Sequence, residues 1–172
     1  MEIHDSQARR IALIGMPASG KTSVGAILAE LEGLPFVDLD EAIAIDAGRS
    51  IPDIFADEGE AGFRARERAA LIRVADGGSV VLATGGGSIE LPENRALLSE
   101  RFRVVWIKVD LGILAERSVG GSRPLLVEDA AGKIRFLYER RKPWYKECAD
   151  IELNTDGMRV KMVAKVIRDS LR

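Results

Sequence analysis

The chain of 172 residues has one cysteine, one histidine and no apolar run approaching the length of a membrane span. Each scarcity removes a class of function. With Cys148 alone no intrachain disulfide can form, and no neighbouring residues mark it as a thiol nucleophile or metal ligand, so it reads as a spectator. The histidine, His4, stands in the leader from Met1 to Ala8, where a solvated side chain is expected rather than a catalytic one. That leader lacks the basic start and apolar core of an export signal, and a cytoplasmic protein is expected. A net charge of −2 gives no electrostatic footprint for nucleic acid or an anionic membrane. Positive charge must then act locally, which points to a small anionic ligand. An Asn-Lys-x-Asp guanine motif is also missing, which leaves little weight for a GTPase switch.

What is present is ordinary for a soluble globular chain, with 47% apolar and 30% charged residues. The length predicts one domain over residues 1–172. Its most informative segment is Gly15-Met16-Pro17-Ala18-Ser19-Gly20-Lys21-Thr22, a G-x-x-x-x-G-K-T run. Glycines let successive backbone N–H groups point at phosphate oxygens, the lysine reaches the β/γ-phosphates, and the threonine hydroxyl ligates Mg²⁺. The helix that follows adds its positive end to the same anion site. Context fits, because Arg10–Ile14 reads as a buried strand while Val24, Ile27, Leu28 and Leu31 recur at helical spacing. A nucleoside triphosphate is the expected ligand, against a glycine-rich turn that binds nothing.

Further strand-like runs lie at Pro35–Leu39, Ser79–Ala83, Arg103–Val109 and Asp150–Leu153, with helix-like stretches between and after them. This alternation predicts an α/β fold with a parallel sheet covered on both faces. Ser50-Ile51-Pro52-Asp53 resembles a capping box, so a short helix should start there, and a second should carry Phe63, Ala70, Leu71 and Val74. Val160, Val163, Ile167 and Leu171 predict a closing amphipathic helix. Between Arg117 and Arg123, Ser118-Val119-Gly120-Gly121-Ser122 has the composition of a mobile lid, or of a solvated loop with two surface arginines.

The third strand ends in Thr84-Gly85-Gly86-Gly87 with no acid, so a metal-holding carboxylate must come from elsewhere. Asp38-Leu39-Asp40 can supply it. Two residues apart on a strand, both carboxylates would project to one face, one serving the metal and the other accepting from a substrate hydroxyl. The alternative is a pair of solvated acids suited to a helix dipole. The glycine triplet allows close backbone approach to a ligand, or is a plain tight turn. Arg64 follows Glu60 by four residues and precedes Glu67 by three, so on a helix both acids share its face and can hold its planar fork for a carboxylate. Periodicity alone favours a surface ion-pair ladder there. Trp106 reads as packing, Trp144 as a hydrophobic plug and Met16 as a space-filling side chain.

From the glycine-rich loop to Arg141-Lys142-Pro143-Trp144-Tyr145 the chain resembles the shikimate kinases. The resemblance is carried by Phe36 to Asp40, Gly48-Arg49-Ser50-Ile51, Gly59-Glu60 with Phe63-Arg64 and Glu67, Ala83 to Gly87, and Arg123-Pro124-Leu125-Leu126. It implies a three-layer P-loop kinase fold with a five-stranded parallel sheet in the order 2-3-1-4-5, a leader over about residues 1–8 and a lid over about 112–128. It implies ATP as phosphoryl donor, shikimate as acceptor through its 3-hydroxyl, and Mg²⁺ as cofactor. Lys21 and Thr22 would serve phosphate and metal, with Asp38 assisting the metal. Asp40 would orient the accepting hydroxyl and take its proton. Arg64 and Arg141 would clamp the substrate carboxylate beside Gly85, Gly86 and Gly87. Nucleotide contacts would come from Gly15, Pro17, Ala18, Ser19, Gly20 and Ser23, from Arg117 at the adenine, and from Arg123 at the transferring phosphate. A monomer without nucleic-acid or membrane partners is expected.

Ala18 stands where this family usually has a glycine, and a right-handed turn that alanine tolerates is expected there. Thr22-Ser23 reverses the common Ser-Thr pair. The connection from Arg117 to Arg123 is somewhat short. Two other readings stay open at this level: a kinase for another hydroxy acid, such as gluconate, or for a nucleoside monophosphate, and a sensor that binds both ligands without turnover.

Overall fold

The computed structural model describes residues 8–120 and 124–172. Strand β1 (Arg10–Ile14) divides its side chains between two apolar layers, Ile11 and Leu13 on one side, Ala12 and Ile14 on the other. Burial on both faces is what a central strand of a parallel sheet requires, which is why the segment is apolar from Ile11 onward. Strands β2 (Phe36–Asp38), β3 (Val80–Ala83), β4 (Arg103–Lys108) and β5 (Ile151–Asn154) complete a parallel sheet in the order β2-β3-β1-β4-β5. Each lies within one residue of the bounds expected from sequence.

Helices α1 (Lys21–Glu32), α2 (Leu39–Ala47), α3 (Ile51–Asp76), α4 (Pro92–Arg101), α5 (Leu111–Ser118), α6 (Pro124–Cys148) and α7 (Val160–Ser170) connect and cover the strands. On one face Val24 and Leu28 of α1 meet Val163 and Ile167 of α7 over Ile11, Leu13 and Val105. On the other, Leu71 of α3, Leu98 of α4, Leu114 of α5 and Tyr145 of α6 pack on Ala12, Leu82 and Trp106. This is the three-layer arrangement that the βαβ pattern predicts.

Helix α3 is two helices joined. The Ser50 hydroxyl accepts from the Asp53 N–H at 3.2 Å and Pro52 sits in the first turn, as the capping pattern requires. Gly59 then leaves helical geometry, with φ 67° and ψ −172°, before the segment carrying Phe63, Arg64 and Glu67. Of the expected lid region, the described part contains α5 and the start of α6, while Arg123 lies outside the described residues. Among the described residues no helix is long and apolar enough to cross a membrane. Cys148 is buried, and burial pushes its thiol up to about 11, so it stays protonated as a packed spectator.

Because β1, β2 and β3 are parallel neighbours, the glycine-rich loop after β1, the acidic segment after β2 and the glycine triplet after β3 all leave the same edge of the sheet. That is the edge where ligands of open α/β sheets bind.

Candidate active site

The loop after β1 turns directly into α1, whose first residue is Lys21. Gly20 caps this helix and brings no side chain, so the first-turn N–H groups are left for an anion. Lys21 is folded back over the loop: its Nζ donates to the carbonyls of Gly15 at 3.0 Å and Met16 at 2.8 Å, and to the Ser19 hydroxyl at 3.4 Å. Burial lowers its pKa to about 8, against the pull of Asp40 and Asp38 in the other direction. Bound phosphates favour the charged form, so nucleotide binding should draw in protons at pH 8.5 and none at pH 6.5. Calorimetric titration with ATP in two buffers of different ionisation enthalpy measures this, and equal heats at pH 8.5 would contradict it.

Ala18 corrects an expectation. Its φ is +65°, the left-handed region that favours glycine, so the loop does not make the right-handed turn expected there. The loop backbone is dictated by phosphate geometry, and alanine bears the strain at roughly 1 kcal/mol. Replacing Ala18 by glycine relieves the Cβ clash but adds freedom to the unfolded chain, so a net gain of about 0.5 kcal/mol is expected, read as a Tm rise of about 1–2 °C. A fall in Tm would show that the strain is not there.

The acidic segment is also rearranged relative to expectation. Strand β2 ends at Asp38, and Asp40 lies in the first turn of α2 rather than on the strand. Asp38 is the helix N-cap: its Oδ1 accepts from the N–H groups of Asp40 at 3.0 Å and Glu41 at 3.2 Å, and its Oδ2 accepts from the Thr22 hydroxyl at 2.5 Å. The helix dipole reading of these acids therefore holds for Asp38, whose second oxygen nevertheless reaches the phosphate loop. The Asp40 carboxylate takes no part in this cap. Desolvation raises its pKa above the usual carboxylate range, with Asp38 and Glu67 adding repulsion that Lys21 and Arg64 oppose.

A cavity of about 560 Å³ joins these parts. Its lining includes Pro17, Ala18 and Gly20 from the loop, Lys21, Thr22 and Ser23 from the first turn of α1, Asp38 and Asp40, Gly85 and Gly86, and Arg117. Arg117 reaches it from α5 and donates through Nη1 to the Ala18 carbonyl at 3.0 Å. Thr84 and Val160 complete the lining and were not singled out by sequence. Thr84 is explained by its hydroxyl, which donates to the Leu13 carbonyl at 3.0 Å and ties β3 to β1. Val160 begins α7, and only its place in a helical period marked it.

The arginines gather at the glycine triplet. A Cβ on Gly87 would collide with Nη2 of Arg64 and stand 3.0 Å from Nη2 of Arg141, so the two guanidinium groups flank one point. A Cβ on Gly86 would stand 2.6 Å from the Pro17 ring, and one on Gly85 3.0 Å from Asp40 Oδ1. The triplet is thus the floor between the phosphate loop, Asp40 and the arginines, rather than a plain turn. Arg64 is held by Glu67 at 2.8 Å and Glu60 at 3.6 Å, and Glu67 is wholly buried, also accepting from the Ser88 hydroxyl at 2.7 Å. An exposed ion-pair ladder does not bury one partner in this way. Nε of Arg64 and Nη1 of Arg141 are buried donors that make no hydrogen bond, as is Nε of Arg95 away from the triplet, so each arginine of the pair keeps a donor that an anion could accept from.

Tyr145 supports the floor from below. Its hydroxyl donates to the Gly86 carbonyl at 2.7 Å and its ring stacks on Trp106 at 5.4 Å between centroids. Its spacing of four from Arg141 could have placed both on one helix face. Trp106 is core, as expected, and Met16 is buried beside Tyr145. Trp144 is half-buried and packs against the core, as a plug should, and its ring also meets the guanidinium carbons of Arg95 and Arg140 at 5.2 and 5.9 Å.

Comparison with known proteins agrees with this geometry. Residues 17–172 match the family model "Shikimate kinase". Shikimate kinase of Symbiobacterium thermophilum is 42% identical over 166 residues, 94% of this chain and 95% of that protein. Shikimate kinase of Stenotrophomonas maltophilia is 46% identical over 151 residues, 87% and 84% of the two chains. The structure of shikimate kinase from Acinetobacter baumannii in complex with shikimate superposes with a TM-score of 0.89 at 38% identity, covering 96% of this chain and 93% of that one. With a phosphate loop, an aspartate and two arginines brought to one sheet edge, and with these likenesses over most of its length, this chain belongs to the shikimate kinase family.

Proposed function

We propose that this chain transfers the γ-phosphoryl group of ATP to the 3-hydroxyl of shikimate, giving shikimate 3-phosphate and ADP on the route to aromatic amino acids. The observation that carries the reading is the position of Asp40, in the cavity between Lys21 and Thr22 on one side and the glycine floor of Arg64 and Arg141 on the other. Phosphoryl transfer asks the protein chiefly for in-line positioning and charge compensation. The loop amides and Lys21 hold the nucleotide phosphates with Ser19 of the loop and Ser23 of the first turn of α1 beside them, and Arg117 lies over the loop for the adenine. Arg64 and Arg141 hold the acceptor's carboxylate, which fixes the ring so that a hydroxyl meets Asp40. Asp40 accepts that hydroxyl's hydrogen bond and takes its proton as the oxygen attacks phosphorus. Arg123 is assigned to the transferring phosphate by resemblance.

Mg²⁺ fits the donor set. Thr22 and Asp38 present two hard oxygens 2.5 Å apart at the cavity wall, and Mg²⁺ with nucleotide is ordinarily held by one or two protein oxygens, with phosphates and water completing its shell. Thr22 would bind it directly and Asp38 through water. When bound it neutralises charge on the β- and γ-phosphate oxygens. We further assign a cytoplasmic, monomeric, single-domain enzyme that uses no nucleic acid or membrane.

The reading is tested by ADP release with Mg²⁺-ATP against shikimate, quinate, gluconate and AMP. Turnover with shikimate far above the others is expected. Turnover with AMP or gluconate alone would keep the kinase chemistry and discard the acceptor; binding of shikimate and ATP without any ADP would favour a sensor.

A further inference from the structure

The second arginine of the clamp is bracketed by a residue that no motif pointed to. Glu90 lies in the short 3₁₀ turn Ser88–Glu90 that follows the glycine triplet, and its N–H donates to the Gly87 carbonyl at 3.0 Å. Its backbone is fixed from outside, since Arg95 Nη1 donates to the carbonyls of Ile89 at 2.8 Å and Glu90 at 3.1 Å. One carboxylate oxygen, Oε2, accepts from Arg140 Nη2 at 3.0 Å. The other, Oε1, takes both Nε and Nη2 of Arg141, at 2.9 and 2.8 Å. Glu90 and Arg141 side chains are 12% and 8% exposed, so this is a desolvated pair and not a surface contact.

The geometry matters because a guanidinium has two usable edges. Glu90 occupies the edge formed by Nε and Nη2, which leaves the end carrying Nη1, the buried donor without a partner. Arg64 is the complement: Glu67 and Glu60 take its Nη atoms and its Nε is bare. Each arginine is thus gripped on one edge by acid and open on another. An arginine side chain has several rotatable bonds, and pinning one edge removes the search for the binding orientation before substrate arrives.

We propose that Glu90 is a positioning residue that holds Arg141 by one edge of its guanidinium and so presents the other edge to the acceptor's carboxylate. The proposal rests on the assignment of Arg141 given above. Glu90→Asp keeps the charge, and with it the pairing a buried arginine needs, but withdraws the oxygens by about 1.5 Å. It should raise the KM for shikimate about tenfold while kcat at saturation, the KM for ATP and the folded fraction stay within twofold. A purely structural Glu90 would lower Tm and the active fraction together and leave both KM values alone. The proposal is overturned if Glu90→Asp leaves the shikimate KM within twofold or if the ATP KM rises equally. Arg141→Lys, measured alongside, separates the two levels: an unchanged shikimate KM there removes the clamp assignment itself, whereas a raised one with an inert Glu90→Asp removes only the role of Glu90.

Discussion

Asp40→Asn should lower kcat by roughly 10²–10⁴-fold, the range for loss of a positioned general base, while the KM values for ATP and shikimate change little. The substitution is nearly isosteric and keeps a hydrogen-bond acceptor for the hydroxyl, so orientation survives and proton acceptance does not. Asp40 is suited to the task because desolvation and the neighbouring Asp38 and Glu67 raise its pKa, which brings its basicity closer to neutral pH. The sign follows: the carboxylate must be ionised to act, so kcat/KM falls as pH drops through that raised pKa, above where an ordinary aspartate would titrate. In the variant this acid limb should vanish from the residual rate. Steady-state ADP release across pH measures both. A loss confined to KM would reassign Asp40 to binding alone.

Lys21→Met is expected to cost roughly 10²–10³-fold in kcat, the magnitude of removing one preorganised charge from a desolvated phosphoryl site. Methionine nearly matches the stem in volume, and burial disfavours the ammonium, which holds its pKa down to about 8. Losing that cost offsets the lost hydrogen bonds to the Gly15 and Met16 carbonyls, so Tm should stay within about 3 °C. The pairing of a large catalytic loss with an unmoved Tm is the signature. Equal losses in activity and stability would mean that Lys21 chiefly organises its own loop.

Much of this site is written in local sequence, and the exceptions have physical causes. The loop from Gly15 to Thr22 announces itself because its chemistry sits in eight consecutive residues. The strands were readable because burial on both faces leaves runs such as Ile11–Ile14 and Val80–Ala83 unbroken. Asp38-Leu39-Asp40 fits a strand end by its spacing and a helix start by its acids, and the N-cap bond of Asp38, which starts α2, decides between them. The handedness at Ala18 was hidden, since alanine carries no sign of the φ imposed on it by the loop. Trp144 packs on the core as an apolar ring beside Pro143 should, but sequence does not show the two cations that its ring also meets. Glu90 was invisible for a different reason: it stands 51 residues from Arg141, and only the fold brings them together. Glu67, three residues from Arg64 on one helix, needed no such help.

The most direct measurement is the phosphorus NMR spectrum of the product formed from shikimate, Mg²⁺ and ATP. A single new phosphate ester coupled to the ring proton at position 3, growing in step with ADP, is the predicted result. ADP accompanied only by inorganic phosphate, or an ester at another hydroxyl, would contradict the placement of the acceptor between Asp40 and the two arginines.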